Sequence, residues 1–180
     1  MTATLFRSIM VAIDDSDVSN RALERAVELA QAMDAQLTIV HVLSSSEPSS
    51  PKPLSAYATA ETLYLDESMR QQYEQAWASY MQHCETLLHQ KVKAAQAAGV
   101  ETISVQPVGN PGPSICDLAK TLEIDLLVVG SHQRRGISEL LMGSTSNYTV
   151  HHAPCSVLVV HSQAKRREQL TESSKESVVA

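Results

Sequence analysis

The sequence predicts an α/β protein with a doubly wound, Rossmann-like sheet of five parallel strands and helices on both faces. Five short and mostly apolar runs are spread along the 180 residues, as expected for strands that are buried on both faces. Helical patterns separate these runs, and alternating strands and helices build parallel sheets. Glycine directly follows the fourth run, which indicates a place where the backbone bends or a ligand approaches it closely.

The first strand is the apolar run at residues 9–13. The polar cluster at 14–17 follows it, and residues of these types commonly cap the N-terminus of a helix. Apolar residues then recur at helical spacing as far as Ala30, and the second strand covers residues 37–42. These segments together predict a βαβ unit.

An insertion is predicted over residues 44–66, because its first part, 44–54, is rich in Ser and Pro and is typical of a loop or mobile segment. A long helix is predicted from residue 66 to 98, with Gly99 at its C-cap. The apolar stripe around Trp77 on this helix is interpreted as core or interface rather than as a cofactor site.

The third strand, residues 102–105, alternates apolar and polar side chains, which favours a position at the edge of the sheet. A turn is predicted at residues 109–113. The apolar residues that follow, from Ile115 to Leu122, predict a short helix.

The fourth strand covers residues 125–130 and ends at its glycine. A helical turn near residues 137–141 is predicted to be interrupted near Gly143 and to continue through Tyr148. The fifth strand covers residues 156–160 and is again continuously apolar.

We predict one domain over residues 1–162 and a disordered tail over 163–180, because the tail is charged and lacks aromatic residues. The expected strand order is 3-2-1-4-5, which makes the first and fourth strands neighbours. In such sheets the ligand binds at the carboxyl ends of the strands where the order reverses, so Asp14 and Gly130 would meet at the binding crevice.

Composition excludes several classes of protein. The formal net charge of −6 argues against general nucleic-acid binding, and no run of 18 apolar residues is present to span a membrane. The first residues lack the apolar stretch of a signal peptide. Three widely spaced cysteines indicate reduced thiols rather than a disulfide framework. We therefore expect a cytoplasmic protein.

The residues that follow the fourth strand predict a phosphate cradle. Gly143, Ser144 and Thr145 open a helix, and a helix N-terminus offers unpaired N–H groups to an anion. With Gly130 at the end of the strand, they would surround a phosphate. The alternative is a tight strand-to-helix turn with an N-cap and no ligand.

A metal or catalytic site is not expected. The spacing of His132, His151, His152 and Cys155 matches no zinc pattern, and these residues are better explained by a helix end and a strand start with Cys155 buried. The sequence contains no P-loop, no paired Ser-His-Asp arrangement and no obvious catalytic lysine.

With these residues in view, the chain resembles a universal stress protein. The resemblance extends over roughly residues 6–161 and is carried by residues 9–16, His41-Val42, Gly109 with Pro111, residues 125–132, Gly143-Ser144 and residues 152–160. It implies an adenine nucleotide as ligand, ATP or a relative, with Mg²⁺ accompanying the nucleotide. It also implies a stress-response regulator.

The nucleotide-binding branch of that family carries the pattern Gly-x2-Gly-x9-Gly-(Ser/Thr). In this chain Gly130, Gly143 and Ser144 fit the pattern, but Gln133 stands where the middle glycine belongs. Glutamine tolerates a positive φ less well than glycine and fills more space, although its amide can donate to a phosphate oxygen and Gly136 can relax the loop. A nucleotide-free interaction module therefore stays open as an alternative.

The resemblance implies roles for individual residues. Asp14 would bond the ribose hydroxyls or help hold a metal; its alternative is a helix cap, which Ser16 or Asp17 can provide instead. Arg134 and Arg135 would close over the phosphates unless they are only solvated loop residues. Ala12 and Ile13 would lie beside the adenine and Val42 would flank it, with ordinary core positions as the alternative. The candidate binding residues are Ala12, Ile13, Asp14, Val42, Val129, Gly130, His132, Gln133, Arg134, Gly143, Ser144 and Thr145.

The fifth strand predicts how the chain assembles. The fifth strand, taken as residues 156–161, would be an apolar edge with open hydrogen-bonding groups, and pairing it with a second copy by two-fold symmetry would protect both edges. Universal stress proteins commonly form such homodimers. A weak magnesium-dependent ATPase is the remaining alternative, implied by the resemblance alone.

Overall fold

The structure, a computed structural model, describes residues 5–53, 67–131 and 143–161. Its elements in chain order are β1 (Ser8–Ile13), α1 (Asp17–Met33), β2 (Gln36–His41), α2 (Glu67–Ala97), β3 (Thr102–Val105), α3 (Pro111–Thr121), β4 (Leu126–Ser131), α4 (Ser144–His152) and β5 (Ser156–His161). None of the helices in these ranges is long and apolar enough to cross a membrane.

The five strands form one parallel sheet in the order β3-β2-β1-β4-β5, which confirms the predicted fold class and strand order. β1 lies at the centre, where Val11 is paired with Ile39 of β2 on one side and Val128 of β4 on the other. β3 and β5 are the edges. The chain crosses from one half of the sheet to the other between β3 and β4, so β1 and β4 flank the switch point.

The core consists of two aliphatic layers, one on each face of the sheet. Successive residues of β1 alternate between them: Ile9 and Val11 pack under α1 and α2, whereas Met10 packs on the opposite face with Val40 and Leu127. A strand with both faces covered must be apolar at every position, which is why these runs show no alternation. Each such side chain contributes about 1.5–3 kcal/mol when it is fully buried.

α1 begins and ends with local signals. Ser16 is the N-cap, with extended backbone angles (φ −100°, ψ 155°), and its Oγ accepts a hydrogen bond from the Ser19 amide at 3.2 Å. The helix ends at Asp34, which adopts the left-handed conformation (φ 51°, ψ 45°) and donates its N–H to the Ala30 carbonyl.

α3 begins earlier than the sequence predicts. The segment 109–113 was expected to be a turn, but the helix starts at Pro111. Proline suits the first helical turn because its fixed φ is already helical and its missing N–H would have no intrahelical partner there. Gly112 is buried beneath Tyr148 of α4, and a Cβ at this position would come within 2.8 Å of the Tyr148 ring. The absence of a side chain therefore lets α4 pack against α3.

α2 is core along only part of its length. Tyr80, Cys84, Leu88 and Ala95 are buried, and half-buried Trp77 packs against the first two, whereas Met69 and Met81 are both 39% exposed. The predicted stripe is therefore core only in part, at the buried positions of α2, and Met69 and Met81 lie on the surface.

The described part of the Ser- and Pro-rich segment after β2, residues 44–53, is a loop that is held by specific contacts. The Glu47 amide donates to the Ser44 carbonyl, the Ser50 amide donates to the Glu47 carbonyl, and Ser44 and Ser50 are buried. The predictions for the rest of the insertion, for the helical turn at 137–141 and for the tail at 163–180 fall outside the described residues.

Candidate functional site

A cavity of about 650 Å³ opens at the carboxyl ends of β1, β2 and β4. This is the switch point that strand order predicts, because the connections after β1 and β4 leave toward opposite faces and separate there. The residues that line it are Ala12, Ile13, Asp14, Ser16, Val18, Ser19, Val40, Val42, Ser46, Glu47, Pro48, Pro111, Ile115, Val129, Gly130, Gly143, Ser144, Thr145 and Ser146.

One wall of the cavity is apolar. Val40, Val42 and Val129 are buried core residues whose strand ends reach the cavity, and Ala12 and Ile13 are half-buried beside them. These side chains offer dispersion contact and no hydrogen bonds, so this wall suits a flat apolar group.

The N-terminus of α4 also lines the cavity. Gly143 is the N-cap (φ −58°, ψ 155°), and no side chain of the described residues bonds to the first amides of the helix. The Ser146 hydroxyl instead donates to the Gly143 carbonyl at 3.0 Å. The first backbone N–H groups of α4 and the positive end of its dipole therefore lie at the cavity wall, an arrangement that favours an anion.

Asp14 lines the cavity at the carboxyl end of β1. Its Oδ1 accepts hydrogen bonds from the Ser16 amide at 3.0 Å and from the Ser16 hydroxyl, and its own amide donates to Ser19 Oγ at 2.8 Å. Asp14 is thus tied to the start of α1, while Ser16 is the N-cap, as the sequence allowed. The carboxylate is exposed and lines the cavity.

Gly130 and Gly143, the two glycines of the motif that the structure describes, differ in the space around them. A Cβ on Gly130 would lie 3.2 Å from the Val18 carbonyl carbon and oxygen, so glycine lets α1 pack closely on β4. At Gly143 the nearest atom would be Ser146 Oγ at 3.7 Å, which leaves room for a side chain. Neither glycine has a positive φ; among the described residues, the glycines with positive φ are Gly99 and Gly109.

A buried polar network borders the cavity and was missed by the sequence analysis. The Tyr80 hydroxyl of α2 donates to Glu47 Oε2, and His41 Nε2 lies 3.3 Å from Glu47 Oε1. His41 Nδ1 is in turn 3.1 Å from Gln106 Nε2. The network joins residues from four separate segments, so no local pattern could have revealed it.

Burial raises the pKa of Tyr80 strongly, and the hydrogen bond to the Glu47 carboxylate adds to this rise. The neighbouring Cys84 thiol also has a raised pKa, chiefly from burial, with Glu47 contributing. Both groups are therefore neutral at physiological pH, which leaves the proton of Tyr80 available for donation to Glu47.

The structure brings most of the predicted residues together. Ala12, Ile13, Asp14, Val42, Val129, Gly130, Gly143, Ser144 and Thr145 all line the cavity, and His132, Gln133 and Arg134 lie outside the described residues. Cys155, expected to be buried, is only half-buried at the start of β5. Within the described ranges, no group of three or more His, Cys, Asp or Glu side chains is arranged to hold a metal ion.

Comparison with known proteins identifies the family. The chain matches the model of the Universal stress protein family over residues 5–161. It belongs to that family. A curated relative, universal stress protein YxiE of Bacillus subtilis, is 31% identical over 156 residues, which cover 87% of this chain and 99% of YxiE.

The chain also superposes on solved structures of universal stress proteins. UspA from Lactobacillus plantarum superposes on this chain with a TM-score of 0.66 and is 26% identical to it. The superposition covers 86% of this chain and 97% of the UspA chain. A universal stress protein in complex with cAMP has a TM-score of 0.58 at 25% identity, with 87% and 97% covered. Solved relatives also include complexes with dAMP and with AMP. Several structural neighbours therefore bind adenine nucleotides.

Proposed function

We propose that this universal stress protein binds an adenine nucleotide, ATP or a relative, in the cavity at the ends of β1 and β4, and acts as a homodimeric stress-response regulator in the cytoplasm. The observation that carries the proposal is the N-terminus of α4, whose first residues line a cavity with an apolar wall and are not capped by a side chain of the described residues. A nucleotide has the matching parts: an anionic end and a flat apolar base.

The size and the polar groups of the cavity support this ligand class. A volume of about 650 Å³ is within the range for small-molecule sites. The phosphates would accept from the amides of Ser144 and Thr145, and the base would lie against Ala12, Ile13 and Val42. Asp14 would accept from the ribose hydroxyls, because an ionised carboxylate is a strong acceptor.

Magnesium bound with a nucleotide needs few protein ligands. Mg²⁺ commonly uses one or two carboxylates together with substrate phosphates and water. Asp14, which lines the cavity together with the first residues of α4, is a suitable carboxylate for such a shared site. The ion would neutralise phosphate charge.

Gly143→Val tests the cradle. The backbone at Gly143 has ordinary angles and room for a Cβ, so the variant should fold. A branched side chain beside the α4 amides should weaken the binding of ATP and AMP at least about tenfold in isothermal titration calorimetry. Val150→Ala, on the exposed face of the same helix, is the control and should bind as wild type does. Equal affinity in Gly143→Val and wild type would reject the cradle.

Gln133 supports the competing proposal of a nucleotide-free module. That module predicts no small molecule released from freshly purified, denatured protein by mass spectrometry, and no thermal shift with ATP and Mg²⁺. A Gln133→Gly variant that gains binding where wild type has none would favour it. Adenine nucleotide recovered from wild type would exclude it.

The dimer is proposed through β5. This strand is an edge of the sheet, and Leu158 on it is 37% exposed, so its backbone and apolar side chains are available to a second copy. Leu158→Lys should convert a dimer into a monomer in sedimentation velocity. Ile103→Lys on the opposite edge strand, where Ile103 is 43% exposed, is the matched control and should leave the dimer intact. A monomeric wild type would reject the interface.

A further inference from the structure

Glu47 lines the cavity from the loop that follows β2. The loop follows directly on the end of β2, where Val42 also lines the cavity. Ser46, Glu47 and Pro48 line the β2 side. A base that lies against Ala12, Ile13 and Val42, as proposed above, would therefore lie beside this loop.

The carboxylate of Glu47 is held by the network behind it. Tyr80 donates to one carboxylate oxygen, and His41 Nε2 is 3.3 Å from the other. The Glu47 side chain is 16% exposed, so it is mostly removed from water. Each carboxylate oxygen accepts two hydrogen bonds, which leaves capacity for a ligand after these two contacts.

We infer that Glu47 is the specificity-determining residue of the site and accepts a hydrogen bond from the exocyclic amino group of an adenine base. The inference depends on the proposed nucleotide function. A carboxylate with little access to water attracts a donor and repels another acceptor, and neither effect is weakened as it would be in bulk solvent. Tyr80 and His41 are positioning residues, because they contact Glu47 and do not line the cavity.

Three monophosphates that differ in the base test the inference. AMP carries an amino group at position 6, purine riboside monophosphate carries only hydrogen there, and IMP carries an oxygen. In the wild type, AMP should bind about tenfold or more tightly than purine riboside monophosphate, as expected for one hydrogen bond to a charged group. IMP is a less direct test of the bond at position 6, because its N1–H, on the neighbouring ring atom, can also donate to a carboxylate.

Glu47→Gln should reduce the preference for AMP over purine riboside monophosphate to about threefold or less, because a neutral acceptor makes a weaker bond. It should also improve the binding of IMP relative to wild type, since an amide can donate to the oxygen at position 6. A gain for one ligand cannot come from a structural defect. Glu85→Gln, on the exposed side of α2, is the matched control and should keep wild-type preferences.

Tyr80→Phe tests the positioning role. It keeps the carboxylate of Glu47 but removes one of the groups that orient it, so the preference for AMP should fall to a value between those of wild type and Glu47→Gln. Nucleotide binding with the same preference in wild type and Glu47→Gln would overturn the inference and leave the proposed function standing. No binding of any of the three ligands to wild type would overturn both.

Discussion

The Tyr80 hydroxyl donates a hydrogen bond to Glu47, 33 residues earlier in the chain, and so joins the middle of α2 to the loop at the cavity. Tyr80 is 7% exposed, and Leu43, Cys84 and Trp77 surround it. A buried donor and a largely buried carboxylate are both costly to leave without a partner. This pair therefore contributes to stability as well as to the geometry of the cavity.

Replacing Tyr80 with Phe should lower the free energy of unfolding by about 1.5–3 kcal/mol, the usual range for hydrogen bonds to charged groups. Urea denaturation followed by circular dichroism measures the change. Tyr73→Phe, two turns earlier on α2 at a half-buried position, is the control and should change stability by less than about 0.5 kcal/mol. Equal losses in the two variants would mean that the bond to Glu47 is not responsible.

The stability of the protein should fall at alkaline pH. Burial raises the pKa of the Cys84, Cys116 and Cys155 thiols, so the unfolded chain loses these protons at lower pH than the folded chain does. The contribution is fully present below the unfolded cysteine pKa of about 8.5 and is lost as pH rises above it, by at most about 1.4 kcal/mol per pH unit for each thiol. Denaturation at pH 7.5, 8.5 and 9.5 measures the slope. Cys84→Ser should make it shallower, and an unchanged slope would contradict the assignment to Cys84.

Gly112→Ala should destabilise the protein by about 1–2 kcal/mol. Its Cβ would come within 2.8 Å of the Tyr148 ring and 2.9 Å of the Tyr148 Cβ, so α4 must shift away from α3. The overpacking cost of about 1–3 kcal/mol exceeds the gain of up to about 1 kcal/mol from helix propensity. A double-mutant cycle with Tyr148→Ala, measured by denaturation, should show that Gly112→Ala costs less once the ring is gone, although the Cβ that alanine keeps at position 148 still lies close. Additive losses would contradict the contact.

Ser16→Ala and Asp14→Asn separate helix capping from ligand binding. Ser16→Ala removes the N-cap of α1 and should cost about 0.5–2 kcal/mol of stability. Asp14→Asn keeps an oxygen for the Ser16 amide and should cost less than Ser16→Ala, but it removes the charge at the cavity and should weaken nucleotide binding. Denaturation and calorimetry on both variants test this. The proposed ligand role of Asp14 fails if Asp14→Asn binds nucleotide as wild type does.

The two glycines at the cavity should tolerate alanine differently. Gly130→Ala places a Cβ 3.2 Å from the Val18 backbone and should cost about 1–3 kcal/mol by pushing α1 away from β4. Gly143→Ala has 3.7 Å to the nearest atom and should leave the stability of the ligand-free protein nearly unchanged. Thermal unfolding without nucleotide compares them. Equal midpoints for the two variants would show that the close approach of α1 to Gly130 is relaxed in solution.

Local sequence patterns predicted most of the elements and their order in the sheet. Each local pattern predicts the conformation of its own segment, as do the apolar runs at 9–13 and 125–130, the cap at Ser16 and the glycine at 99. The order of the strands then follows from general rules for parallel sheets. The same rules predicted that Asp14 and Gly130 meet at one cavity. The start of α3 was misplaced because proline and glycine signal turns and first helical turns alike.

The sequence by itself determined the strands, the helices, the order of the sheet and the side of the sheet where the cavity opens, because these depend on periodicity and on short-range backbone preferences. Only the tertiary structure decided that Tyr80 and His41 hold the Glu47 carboxylate. It also decided that a side chain at Gly130 would crowd Val18, and that the missing side chain at Gly112 makes room for Tyr148. Each of these contacts joins residues from different elements. Their distances depend on how helices pack on the finished sheet, which no local pattern of residues encodes.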